Sequence, residues 1–163
     1  MKILAIDPGI ERTGWSIFSY SNKSSNKITL EDYGLISTSK IIKLEKRISL
    51  IQDNIELLIK NNSIKEIVLE KIFFFKNQKT IIQVSQAQGA IMAIAGKNNI
   101  ILSFLTPLEI KQIVTGYGQA DKISVKKMLE ILLKIKFDRE LDDVIDAIAC
   151  GYAYCINKKS YDR

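Results

Sequence analysis

The chain has 163 residues, 47% of them hydrophobic, which is enough for one compact domain over residues 1–163 with a real core. Lys and Arg outnumber Asp and Glu by 24 to 18, and the resulting charge of +6 suits an anionic partner such as nucleic acid, although a lysine-rich background gives the same sum. No histidine is present, so Ser-His-Asp and Cys-His catalysis are excluded, and acid-base chemistry falls to carboxylates, lysines and metal-activated water. No apolar run reaches the roughly eighteen residues of a membrane span. The N-terminal apolar run meets Asp7 too early for the core of a signal peptide, so a cytoplasmic protein without a membrane segment is expected. Cys150 and Cys155 lack metal-ligand spacing and read as small buried thiols.

In chain order, residues 2–6 form a short apolar strand that ends in Asp7-Pro8-Gly9. Two further strands, 15–20 and 28–37, are separated by the Ser/Asn/Lys-rich stretch 21–26, which has the composition of a solvated hairpin tip. Three strands in succession predict an antiparallel meander. Ile41, Leu44, Ile48, Ile51, Ile55 and Leu58 keep the three-and-four spacing of one helical face, which predicts a helix over 40–61 with Ser39 as its cap. A strand at 66–69, a small-residue helix at 78–97 and a strand at 100–105 follow. Thr106-Pro107-Leu108-Glu109 combines a cap, a first-turn proline and a capping-box glutamate, so a helix starts here and stops near Gly116. Helices from about Asp121 and Glu140 complete the chain. The alternation predicts an α/β fold: a mixed sheet, meander plus parallel strands, with helices on both faces.

Three places carry acids that invite chemistry. Asp7 closes the first strand, where a carboxylate must be solvated, paired or metal-bound, although Asp-Pro-Gly is also an ordinary turn composition. Glu70 closes the strand Ile67-Val68-Leu69 in the same way, and it is equally readable as a surface glutamate. On the last helix Asp143 and Asp146 lie three apart on a flank of the stripe Leu141, Val144, Ile145, Ile148. Asp142 is four before Asp146, so periodicity leaves open which of Asp142 and Asp143 faces a site. Acids near a helix N-terminus are also favoured by the helix dipole alone. Carboxylates gathered without histidine suit hard cations such as Mg²⁺ or Mn²⁺, which take oxygen ligands, and a pair of such ions suits phosphodiester hydrolysis.

Taken jointly, Ile6-Asp7-Pro8-Gly9 with Thr13-Gly14, Glu70-Lys71-Ile72-Phe73 with Lys76-Asn77, and Gln86-Ala87-Gln88-Gly89 resemble the RuvC family of Holliday junction resolvases. The later segments Lys111-Gln112-Ile113-Val114-Thr115-Gly116-Tyr117-Gly118, Ala120-Asp121-Lys122 and Asp142-Asp143-Val144-Ile145-Asp146-Ala147 extend the resemblance over nearly the entire chain. It implies an RNase-H-like fold, a homodimer with two active sites on one four-way DNA junction, and paired nicks in strands of like polarity during homologous recombination and repair. It also implies a branch-migration helicase complex as partner. The same matching implies that Asp7, Glu70, Asp143 and Asp146 hold the metal, Mg²⁺ with two ions per site and Mn²⁺ as a substitute. It places Lys111 and Lys122 on DNA phosphate and Phe73 beside the junction, where its ring can stack on an unpaired base. Phe74 stays open between DNA and core, and Phe75 is read as core. Lys76, Lys79, Lys126 and Lys127 either track phosphate or form solvated surfaces. The loop Gly116-Tyr117-Gly118 is either a flexible closure or a helix stop. An RNA-processing nuclease of a related RNase-H-like family and an inert basic DNA-binding module are the competing readings. The Phe-Lys-Asn segment argues against the first and the full set of four acids against the second.

Overall fold

The computed structural model describes residues 1–21, 27–72, 78–138 and 141–161. Strands β1 (Lys2–Asp7), β2 (Arg12–Tyr20) and β3 (Ile28–Ser37) form the antiparallel meander, and β4 (Glu66–Glu70) and β5 (Ile101–Leu105) join it in parallel on the other side of β1. The sheet order is β3-β2-β1-β4-β5. Helices α1 (Leu44–Asn62) and α2 (Gln78–Lys97) cover one face, and α3 (Pro107–Thr115), α4 (Lys122–Leu133) and α5 (Asp142–Tyr161) cover the other.

Strand parity decides what each face carries. In β1, Leu4 and Ile6 pack into the core shared with α1 and α2, while Ile3 and Ala5 pack into the core shared with α3, α4 and α5. In β4, Ile67 and Leu69 belong to the first core and Val68 to the second. Successive side chains on a strand alternate faces, so Asp7 and Glu70 follow Ala5 and Val68 onto the α5 side. The parallel register sets Ile6 beside Leu69, which makes the two acids the next neighbours along adjacent strands.

Helix α5 can reach those acids because the sheet offers it small residues. A Cβ on Gly14 would collide with the carbonyl oxygen of Asp143, and one on Gly151 would lie 2.6 Å from the Phe18 ring. Glycine at both positions lets the helix lie close on β1 and β2, and the Ser16 hydroxyl donates to the Ala147 carbonyl at 2.9 Å. The far end of α5 is tied to β4 and β5. Buried Glu66 pairs with Lys158 and accepts from the Tyr154 hydroxyl at 2.9 Å, and Tyr154 also meets the Ser103 hydroxyl at 3.1 Å.

Local signals were realised unevenly. Thr106 and Glu109 form the expected capping box with Pro107 at the start of α3, and α3 ends at Gly116 with φ 79°, a left-handed conformation that glycine adopts without steric cost. Asp121 caps α4, accepting from the Ser124 amide at 2.7 Å. Ser39, in contrast, does not cap α1. Its hydroxyl accepts from the Ile41 amide in a turn, and the helix begins at Leu44 after Lys43, which makes no side-chain cap. A serine can bond its neighbours' backbone in a turn as readily as at a helix start. The Gly116-Tyr117-Gly118 loop ends α3, and the Gln112 side-chain amide donates to the Gly116 carbonyl at 2.8 Å and accepts from the Gly118 amide at 3.0 Å. Cys150 and Cys155 are buried free thiols, and burial pushes the Cys155 thiol up to about 12. Among the described residues no helix is long and apolar enough to cross a membrane.

Candidate active site

Asp7 from the end of β1, Glu70 from the end of β4 and Asp146 from the second turn of α5 line one cavity of 470 Å³. Lys71, Lys111 and Lys122 line it as well, and Pro8, Val84, Pro107 and Ile110 supply apolar wall. Asp143, one turn before Asp146, opens onto the neighbouring cavity with Gly9 and Arg12 and adds its charge to the field at Asp7. Acids from three separate segments of the chain therefore interact electrostatically at Asp7. Asp142 is exposed and is not among the groups acting on Asp7. Asp142 acts instead on Asp146, and Lys122 reaches both, so of the two neighbouring aspartates Asp143 is the one whose charge reaches Asp7.

The acids destabilise each other's ionised forms. Burial pushes the Asp7 carboxyl well above its ordinary range, and the charges of Glu70, Asp146 and Asp143 push it further. Glu70 is raised from 4.5 to about 7 by burial and then by the charge of Asp146. Asp146 is also raised, burial again leading, although the hydrogen bond from Lys122 opposes the shift. Uncompensated negative charge in a partly desolvated pocket calls for a cation. The donors are all oxygen, the set that hard divalent ions prefer. The residues present therefore fit Mg²⁺ or Mn²⁺ in chemistry.

As the side chains stand, no three of the described acids are grouped tightly enough to hold an ion. The protein's own cations engage three of the acids around the site. Lys122 donates to Asp146 at 2.9 Å and reaches Asp142 at 3.5 Å, and Arg12 reaches Asp143 across 3.7 Å. Burial works against the charge on Lys122, yet the hydrogen bond and charge of Asp146 and the charge of Asp142 outweigh it, and its pKa rises.

Of the residues expected to meet DNA, Lys111 and Lys122 stand at this cavity. Phe73, Phe74 and Lys76, and with them Phe75, lie outside the described residues, as does the side chain of Lys79. Lys126 lines a small cavity with Lys122 and Asp142. Arg12 was not singled out from the sequence. A basic residue between Asp7 and Thr13-Gly14 carries no spacing signal, and its relation to Asp143 exists only once α5 lies on β2.

A mixed sheet in this order, with helices on both faces and acids at the ends of its two central parallel strands, is an RNase-H-like fold. The chain belongs to the family of crossover junction endodeoxyribonuclease RuvC, whose model it matches over residues 3–154. It is 40% identical over 161 residues to the crossover junction endodeoxyribonuclease RuvC of Petrotoga mobilis, covering 99% of this chain and 97% of that protein. To the protein of the same name from Clostridioides difficile it is 38% identical over 159 residues, covering 98% and 92%. Among solved structures it resembles Thermus thermophilus RuvC in complex with Holliday junction substrate, with TM-score 0.90 at 22% identity over 99% of this chain and 97% of the other. The yeast mitochondrial Holliday junction resolvase Ydc2 is more distant, with TM-score 0.68 at 17% identity over 98% and 81%.

Proposed function

We propose that this chain is a crossover junction endodeoxyribonuclease: a single nuclease domain over residues 1–163 that works as a homodimer and cuts four-way DNA junctions by paired, symmetric phosphodiester hydrolysis. The observation that carries this reading is the field at Asp7, a partly buried acid whose carboxyl is raised by burial and by three further acids, in a cavity shared with Lys111 and Lys122. Acids at the floor and lysines around them match the needs of a phosphodiester, whose backbone oxygens are anionic while the attacking water must lose a proton.

Asp7, Glu70, Asp143 and Asp146 would hold Mg²⁺, two ions per site, with Mn²⁺ as a substitute. When bound, such ions lower the pKa of an attacking water and neutralise charge on the scissile phosphate. The protein's own residues do the rest. Lys111 and Lys122, both at the cavity, would bind DNA phosphate near the scissile bond and help to position it over the acids. The apolar wall of Pro8, Val84 and Ile110 limits water around the carboxylates and strengthens their field. By resemblance, Phe73 would stack on an unpaired base at the crossover and Lys76 would meet DNA, while Phe74 stays open between DNA and core.

The homodimer is supported by α2, whose outer surface exposes Ile82, Gln86, Gly89, Met92, Ala93 and Gly96. Small residues there allow a second helix to approach closely, and Ile82 and Met92 give it apolar area to bury. Two copies related by a two-fold axis would present two cavities to a junction that is itself two-fold symmetric. A branch-migration helicase complex as partner and action in the cytoplasm are part of the same reading.

The test is cutting of a mobile four-way DNA junction, with and without Mg²⁺, beside a structured RNA of similar size. Cation-dependent paired nicks at the crossover are expected. Equal or better cutting of the RNA, or normal cutting by Asp7→Asn, overturns the assignment.

A further inference from the structure

Beside the carboxylate cavity lies a second one of 820 Å³, walled by Gly9, Arg12, Lys40, Gln83, Val84 and Asp143 among others. Val84 lines both, so the two adjoin. The basic residues in the second cavity are committed to different degrees. Arg47 is buried and donates through Nε to the Thr38 hydroxyl at 2.8 Å. Lys40 is paired with Glu11 at 3.0 Å. Arg12 reaches Asp143 across 3.7 Å, beyond hydrogen-bond range, and 51% of its side chain is exposed. Its backbone is nonetheless fixed: Arg12 opens β2, paired with Ser37 of β3, and the preceding Glu11 carbonyl accepts from the Thr38 amide at 3.0 Å. A guanidinium on a rigid base, loosely held by an acid of the site, can be redirected at little cost.

We propose that Arg12 binds a backbone phosphate of the cleaved strand in this second cavity, and that it becomes free to do so when a divalent cation takes over Asp143. The inference rests on the reading of Asp143 as a metal ligand. A doubly charged ion displaces a solvent-exposed guanidinium from a carboxylate, and the planar fork of the guanidinium matches two phosphate oxygens as well as it matches the carboxylate. The groove next to the scissile position is where the strand must continue, and the remaining basic groups on that side are already engaged by Glu11 and Thr38. Cation and DNA then favour one another through a single side chain, and by linkage each raises the affinity of the other by the same factor. Lys122, held by Asp146, sits in a parallel arrangement on the other side of the acids.

The experiment is fluorescence-anisotropy titration of a four-way DNA junction with the wild-type protein, Arg12→Ala and Arg12→Lys, in chelator and in Ca²⁺, with cutting followed in the same samples. Calorimetric titration with Ca²⁺ in the absence of DNA accompanies it. Ca²⁺ should tighten junction binding by the wild-type protein. Arg12→Ala should lose roughly tenfold in Ca²⁺ but less than about twofold in chelator, and its salt dependence in Ca²⁺ should fall by about 0.9, one phosphate contact. Arg12→Lys should recover part of the loss. Without DNA, Arg12→Ala should bind Ca²⁺ at least as tightly as the wild type, because a competitor for Asp143 has gone; a merely structural arginine would weaken that binding. Equal losses in chelator and Ca²⁺, or no loss in either, overturn the proposal. If Asp143→Asn binds Ca²⁺ as tightly as the wild type, the assignment of Asp143 as a ligand fails first and the proposal falls with it.

Discussion

Replacing Glu70 with Gln should stabilise the protein while abolishing its activity, and the stabilisation should depend on pH in a defined direction. The Glu70 carboxyl is raised from 4.5 to about 7 by burial and by Asp146, so between those values the folded state binds a proton that the unfolded state has released. Stability therefore falls as pH rises through this window and the wild type carries the full cost above it. At about 1.4 kcal/mol per tenfold change in proton affinity, the cost is about 1 kcal/mol at pH 5 and about 3 kcal/mol at pH 8. Glutamine keeps the shape and removes the charge, so Glu70→Gln should gain little below pH 5 and about 3 kcal/mol at pH 8. For a chain of this length that corresponds to a rise of roughly 6–12 °C in Tm. The assay is thermal or urea unfolding in chelator at pH 5 and pH 8, with junction cutting in Mg²⁺ measured in parallel. Saturating Mg²⁺ should narrow the difference, since it stabilises only the protein that binds it. A variant no more stable than the wild type at pH 8, or a gain of the same size at both pH values, refutes the electrostatic account of the site.

Three other substitutions probe separate parts of the argument. Asp7→Asn should leave junction affinity within about twofold, because phosphate contacts dominate binding, and should lower cutting by more than about 100-fold, beyond the loss seen when only a supporting partner of a metal ligand is removed. Gel-shift and nicking assays on the same preparation check both. Gly14→Ala places a methyl group against the Asp143 carbonyl and should destabilise by about 1–3 kcal/mol or more while lowering cutting; urea denaturation and nicking rates read it, and unchanged rates would mean that α5 does not need this approach. Lys158→Ala strands the buried Glu66 carboxylate and should cost about 3 kcal/mol at pH 7, measured as a shift in urea midpoint; Glu66→Gln in the same background should recover part of it.

Much of the fold was legible because periodicity and punctuation are local. The short apolar runs of β1 and β4, the apolar stripes of α1 from Leu44 and of α5 from Val144, and the capping box at Thr106 and Glu109 each depend on residues within a turn or two and appear where expected. Ile41 and Leu141, in contrast, read as the first residues of those stripes, lie before the helices and are exposed. The failure at Ser39 is also local: turn and helix cap use the same hydroxyl, and only the path of the chain into α1 distinguishes them. The path of the loop at Gly116 could not be judged from glycine content, since the hydrogen bonds across it come from the side chain of Gln112 on the preceding helix.

The sequence by itself determined which residues could serve as ligands: Asp7 and Glu70 at strand ends, Asp143 and Asp146 one turn apart on a helix, and no histidine to compete with them. The tertiary structure decided that they share one electrostatic field, because only the adjacency of β1 and β4 and the docking of α5 over Gly14 and Gly151 bring them together. It also decided that the charge of Asp143 reaches Asp7 while that of Asp142 reaches Asp146, and that the acids engage Arg12 and Lys122. These are contacts between groups about 20 to 130 residues apart in the chain, set by how layers pack, and no local pattern of residues encodes them.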